Sequence, residues 1–135
     1  KNISIKKSFF KSQNKSYVEE FAKLEKKRKS DLIELHNRPI YLYYLVKFLE
    51  KKNYILYIHN DPVKMNGSKN ISERIFLLKN CFKIIFNSNW TKRKFLNGMS
   101  NEHANSEKLI VVNQSAKKSK INLKSKKKIS RKNEK

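Results

Sequence analysis

The chain has few of the residues that staple or interrupt a polypeptide: one cysteine, two glycines and two prolines among 135 residues. A solitary Cys81 excludes an intramolecular disulfide framework and a thiolate metal cluster, and it suits a reducing compartment, so the expected location is cytoplasmic. Nothing in the sequence places a base beside Cys81, which therefore reads as a buried structural thiol. The scarcity of glycine leaves no Gly-x-Gly-x-x-Gly and no Gly-rich Lys-Ser/Thr loop, so the turns that cradle a nucleotide pyrophosphate are missing. There is no serine elbow of the hydrolase kind. No apolar run approaches the length of a membrane span. Acidic residues are also scarce, eleven against 33 Lys and Arg, which sets the formal net charge at +22.

That charge is unevenly placed. Residues 1–30 carry ten basic and three acidic side chains, residues 31–115 carry thirteen and seven, and residues 116–135 carry ten and one. Most of the excess sits at the two ends, which argues against specific nucleic-acid recognition by the body of the protein. Lys, Asn and Ile are enriched together, a bias that an AT-rich coding sequence produces without functional pressure. The charge still acts physically: it favours salt-dependent contact with anionic surfaces, and peripheral contact with an anionic membrane is an expected interaction. A small basic protein that binds RNA or an anionic membrane is the alternative function class, with Phe9-Phe10-Lys11 and Trp90 to Phe95 as its aromatic and basic stretches.

With 38% hydrophobic residues the chain has enough apolar surface for one domain. Val18, Phe21, Ala22 and the stem of Glu25 share a helical face over residues 17–29. Leu32 to Leu35 reads as a short strand. Pro39 suits the first position of a helix, and Leu42, Leu45, Val46 and Leu49 follow helical spacing behind it. Tyr54 to Ile58 is a second strand, rich in aromatic and β-branched residues, so strand, helix and strand form a βαβ unit. Asn70 and Glu73 have the spacing of a capping pair for a helix reaching Asn80 with Ile71, Ile75 and Leu78 inward. Phe82 to Phe86 is a third strand, apolar enough for burial on both faces. Ser88 caps a helix over residues 89–96 that Asn97-Gly98 stops, with Phe95 and Leu96 inward, and Leu109 to Val112 is a fourth strand. The expected fold is α/β: a short parallel sheet flanked by helices, of partial Rossmann-like form.

Within this pattern DLIELHNRP (31–39) is echoed by YILYIHNDP (54–62): an apolar run, then His-Asn-x-Pro, twice. In an open parallel sheet the carboxyl ends of the strands share one edge, where ligands bind. The four strands should thus deliver His36, Asn37, Arg38, His59, Asn60, Asp61, Asn87, Ser88 and Asn113 to one polar rim. Histidine exchanges protons near neutrality, Arg38 suits a carboxylate or phosphate, and Asn and Asp suit hydroxyl-rich ligands. His103 lies in a polar loop and is assigned no role, and the helix-borne histidine spacings of zinc enzymes are missing, so no metal or other cofactor is expected.

DLIELHNRP, YILYIHNDP, CFKIIFNSNWTKRKFLNG and EKLIVVNQS, in that order, resemble the N-terminal half of a GT-B glycosyltransferase of the family-four type, notably the lipopolysaccharide and cell-surface glycan transferases. The resemblance implies an acceptor-binding Rossmann-like domain over residues 17–115, a basic remnant of a preceding portion over 1–16 and a basic, disordered tail over 116–135. It implies transfer of a sugar from a nucleotide-sugar donor to a glycan or lipid-linked acceptor at the inner face of the cytoplasmic membrane. His59 and Asp61 would lie by the transferred sugar as catalytic groups, with His36, Asn37, Arg38, Asn60, Asn87 and Ser88 on the acceptor side. The nucleotide-sugar would be a co-substrate held mostly by a second domain whose paired glutamates have no counterpart here. The family's Gly-rich first strand is not matched before residue 17, and the turn after Val112 reads Asn-Gln-Ser where Asn-Gly is usual. The chain is therefore expected to be a piece truncated at both ends and inactive by itself.

Overall fold

The computed structural model describes residues 12–49 and 53–113. The expectations for the N-terminal Phe9-Phe10 patch and for the basic tail lie outside these residues. The described chain is α/β with a four-stranded, all-parallel sheet in the order β1-β2-β3-β4.

Helix α1 (Gln13–Arg28) starts four residues before the apolar pattern becomes visible, because Ser12 accepts a hydrogen bond from Lys15 N and caps it. It buries Val18, Ala22 and Glu25, and packs on α2. The Glu25 carboxylate receives Ser30 N at 2.6 Å and Ser30 Oγ at 2.9 Å, which ties the helix end to the chain entering β1 (Leu32–His36). Pro39 opens α2 (Pro39–Phe48), whose Leu42 and Leu45 are wholly buried. Strand β2 (Asn53–Ile58) follows.

A short 3-10 turn (Pro62–Lys64) then leads to Gly67, which has φ +88° and lies so close to the start of α2 that an added Cβ would sit 2.5 Å from Ile40 N. Helix α3 (Ile71–Asn80) has the expected capping box in full: Glu73 N donates to Asn70 Oδ1, and Glu73 Oε2 accepts from Asn70 N. Its inward face differs from the expected one. Arg74, Leu77 and Leu78 are buried, while Ile71 is exposed and Ile75 half-buried. The helix is turned so that the Arg74 guanidinium reaches Ser68 O, Lys69 O and Asn97 O, the last at 2.7 Å.

Strand β3 (Lys83–Phe86) leaves Phe82 outside it and exposed. Ser88 accepts from Thr91 N and caps α4 (Asn89–Leu96), where Phe95 is fully buried against Phe86, ring centroids 5.3 Å apart. Gly98 takes the left-handed conformation (φ +78°) at the turn beyond α4, and a single turn, α5 (Asn101–Ala104), precedes β4 (Leu109–Val111).

The sheet is buried on one side. Ile33, Tyr54, Leu35, Leu56, Ile84, Ile58, Phe86 and Leu109 are buried and stand in register across the strands. The intervening row, with Glu34, His36, Ile55, Tyr57, Lys83, Ile85 and Ile110, is half-buried or exposed. A sheet wound in one direction sends its crossovers over a single face. This corrects the expectation for β3: Ile84 and Phe86 are buried, but Lys83 and Ile85 on the other face are not. Cys81 is buried, and burial pushes its thiol up to about 12 against the opposing pull of Lys108. Among the described residues no helix is long and apolar enough to cross a membrane.

Candidate functional site

Because every strand pair is parallel, the four strand exits share one edge. The first three exits are tied together in turn by two asparagines. Asn37, in the left-handed conformation at φ +51°, donates its N–H to Tyr57 O and receives His59 N at 2.8 Å and Asn60 N at 3.2 Å on Oδ1. Asn87 donates its side-chain N–H to His59 O at 2.8 Å and accepts from Thr91 Oγ1 at 2.7 Å. The backbone of His59 is thus held on both sides, at N by the β1 exit and at O by the β3 exit. This is the tertiary use of a residue type favoured in turns because its short polar side chain bonds nearby backbone.

The rim residues named from sequence fall into two groups. Asn37, Asp61, Asn87 and Ser88 have side chains engaged in holding the loops: Asp61 Oδ1 accepts from Val63 N to cap the 3-10 turn, and Ser88 caps α4. No hydrogen bond or ion pair joins Asp61 to His59 among the described residues. The other group turns outward. Arg38 is exposed, with one long contact of 3.5 Å to Asn37 O, and Asn60 is exposed beside it. Asn37, Arg38 and Asn60 line a cavity of about 290 Å³ together with Asn14, Lys64, Asn66 and the apolar Pro39, Ile40 and Met65; its polar lining is four amides and two cations, with no carboxylate among the described residues. Asn113 is exposed at the β4 exit.

The two histidines meet. His36 Nδ1 lies 3.3 Å from His59 Nε2, although 23 positions separate them in the chain. His36 Nε2 lies 3.1 Å from Glu34 Oε1. The Tyr57 ring stacks on both imidazoles, with centroids 5.4 Å from His36 and 4.5 Å from His59. Glu34, His36 and Tyr57 share the less buried face of the sheet, with His59 just beyond the carboxyl end of β2.

Glu34 and Tyr57 were missed in the sequence. The signal was available: each lies two residues before a rim histidine, and in a strand residues i and i+2 share a face. Arg74 was missed as well. It is 3% exposed, its Nε has no partner among the described residues, and burial lowers its affinity for the proton. Its three carbonyl partners hold the loop before α3 to the end of α4, a structural task behind the rim. His103 bonds Ser100 Oγ at 2.6 Å on α5, away from the strand exits.

Fold and site together define an α/β domain with a one-sided parallel sheet and a polar pocket at the strand exits. No family model, curated protein or solved structure matches the chain.

Proposed function

We propose that this chain is the acceptor-side portion of a two-domain enzyme that transfers a sugar from a nucleotide-sugar to a glycan or lipid-linked acceptor. The observation that carries the reading is the convergence of His36, Arg38, His59 and Asn60 on one sheet edge beside a cavity whose polar lining is amides and cations. Amides offer paired donors and acceptors to vicinal hydroxyls, while Arg38 and Lys64 supply the charge for a carboxylate or phosphate on an acceptor. In this reading His36, Arg38 and Asn60 face the acceptor and His59 faces the reacting hydroxyl, while Asn37, Asp61, Asn87 and Ser88 hold the loops that position them. The ordered motifs that resemble family-four glycosyltransferases support the same assignment. The described residues contain one sheet, so the donor nucleotide would be bound by a second unit, and transfer would require that unit.

The test is saturation-transfer NMR with oligosaccharides bearing acidic or phosphorylated sugars, followed by a radiolabelled transfer assay with and without a donor-binding domain. Saccharide contacts that vanish in Arg38→Ala and Asn60→Ala, with transfer only when the donor domain is added, are the expected result. Absence of saccharide contact at these positions would remove the proposal.

A second reading has one observation in its favour. Trp90 is 48% exposed on α4 with the Lys94 ammonium 5.7 Å from its ring centroid, a pairing of stacking surface and cation suited to single-stranded RNA. A filter-binding salt titration discriminates. Tight binding with a steep salt slope, reduced by Trp90→Ala and by removal of residues 116–135, would favour this reading over sugar transfer.

A further inference from the structure

We propose that Glu34, His36 and His59 form a proton relay whose open end, His59 Nδ1, accepts the proton of a ligand hydroxyl. The order of protons along it follows from donor and acceptor inventories. An ionised carboxylate only accepts, so the 3.1 Å contact to Glu34 requires the proton of neutral His36 on Nε2. His36 Nδ1 then carries the lone pair, and the 3.3 Å contact is a hydrogen bond donated by His59 Nε2. His59 Nδ1 is left unprotonated, and it has no partner among the described residues.

The ring is held for this task. Asn37 and Asn87 fix the His59 backbone at N and O, and Tyr57 stacks on both imidazoles. Of the other charged groups nearby among the described residues, Lys83 Nζ donates to Glu107 O at 3.0 Å, while Arg38, 3.5 Å from Asn37 O, lines a cavity of about 190 Å³ with Glu34 and His36 and makes no ion pair with Glu34. Glu34 and His59 approach different nitrogens of His36, so the three do not converge as a metal cage.

The step balances without a further reagent. The ligand O–H bond breaks and its electron pair stays on oxygen. The proton forms an N–H bond at His59 Nδ1 while the Nε2 proton of His59 passes to His36 Nδ1. The positive charge comes to rest on His36 beside the Glu34 carboxylate, not on the ring facing the ligand. His59 is the proton acceptor; His36 and Glu34 are positioning residues. Only the identity of the hydroxyl, as one of a saccharide, rests on the sugar-transfer reading.

Long-range imidazole ¹H–¹⁵N spectra of the ¹⁵N-labelled chain, recorded with the rings neutral, test the relay. The expected signature is an unprotonated His59 Nδ1 and a scalar coupling between His59 Nε2 and His36 Nδ1. Glu34→Ala abolishes that coupling and Glu34→Gln, which keeps a carbonyl acceptor, restores it, with backbone amide spectra unchanged in both. Diethyl pyrocarbonate should acylate His59 faster than His103, and His36→Ala should slow the His59 reaction about two- to tenfold, the range of one ordinary hydrogen bond. A proton on His59 Nδ1, or no coupling in the unaltered chain, overturns the relay. An intact signature without saccharide binding upholds the relay and removes only the sugar reading. Saccharide binding without the signature does the opposite.

Discussion

Asn37 offers the sharpest test of how the rim is built, because it combines a left-handed backbone with a two-pronged acceptor. Its φ of +51° is one that Asn tolerates and Ala does not, at a cost of about 1–2 kcal/mol for an ordinary L-residue. Its Oδ1 receives His59 N at 2.8 Å, a part-buried donor, and Asn60 N at 3.2 Å, an exposed one. Orphaning the first costs about 1–3 kcal/mol, whereas water replaces most of the second. Asn37→Gly relieves the backbone and removes both acceptors, so a loss of about 1–3 kcal/mol is expected. Asn37→Ala adds the conformational penalty, for about 2–5 kcal/mol in all. Asn37→Asp keeps the acceptor and should stay within about 1 kcal/mol of the original chain. Urea unfolding followed by circular dichroism gives the three values. If Gly and Ala behave alike, the left-handed conformation carries no strain and that step of the reasoning is wrong. If neither variant loses stability, the clamp between the first two strand exits is not what holds His59.

Three further outcomes follow from the same geometry. Gly67→Ala sets a Cβ 2.5 Å from Ile40 N and 2.9 Å from Pro39 C at φ +88°, so it should cost about 3–5 kcal/mol in urea unfolding, since backbone cannot yield as a side chain does. Arg74→Lys should destabilise more than Arg74→Met by thermal unfolding, because an ammonium cannot reach all three carbonyls now bonded by the guanidinium, whereas Met removes the buried charge; the reverse order would refute that account. Cys81 should resist iodoacetamide until the chain unfolds. Its thiol is raised from 9.0 to about 12, and the Tyr43 and Tyr54 phenols from 10.0 to about 12, all chiefly by burial. Since the folded form holds these protons more tightly, the stability they contribute is complete below about pH 9 and is lost as pH rises toward 12, less steeply in Cys81→Ala.

Elements defined by short-range signals were legible from the residues alone. Pro39 at a helix start, the Asn70 and Glu73 pair, Ser88 as a cap and Gly98 as a stop all act within one helical turn, and each is found in place. The strands were legible because their apolar runs are bounded by turn residues, and the parallel arrangement followed from the helix between successive strands. Where a residue answered to something distant, pattern was a poorer guide. Ile71 belongs by spacing to the apolar stripe of α3, yet the helix is rotated about the buried Arg74, whose partners include Asn97, 23 residues on. The apolar third strand read as buried on both faces, but the crossovers described here cover one.

The site divides along the same line. The amino-acid order by itself determined that His-Asn-x-Pro would follow two strands, that these strands would run parallel, and that their exits would therefore share an edge. Only the tertiary structure decided that Asn37 and Asn87 spend their side chains pinning His59, and that Glu34, His36, Tyr57 and His59 meet in one hydrogen-bonded and stacked group. The physical reason is range: caps and turns are bonds between residues a few positions apart and leave a local trace, whereas the bonds that tie one strand exit to another span 22 to 28 positions and exist only once the sheet has set its register.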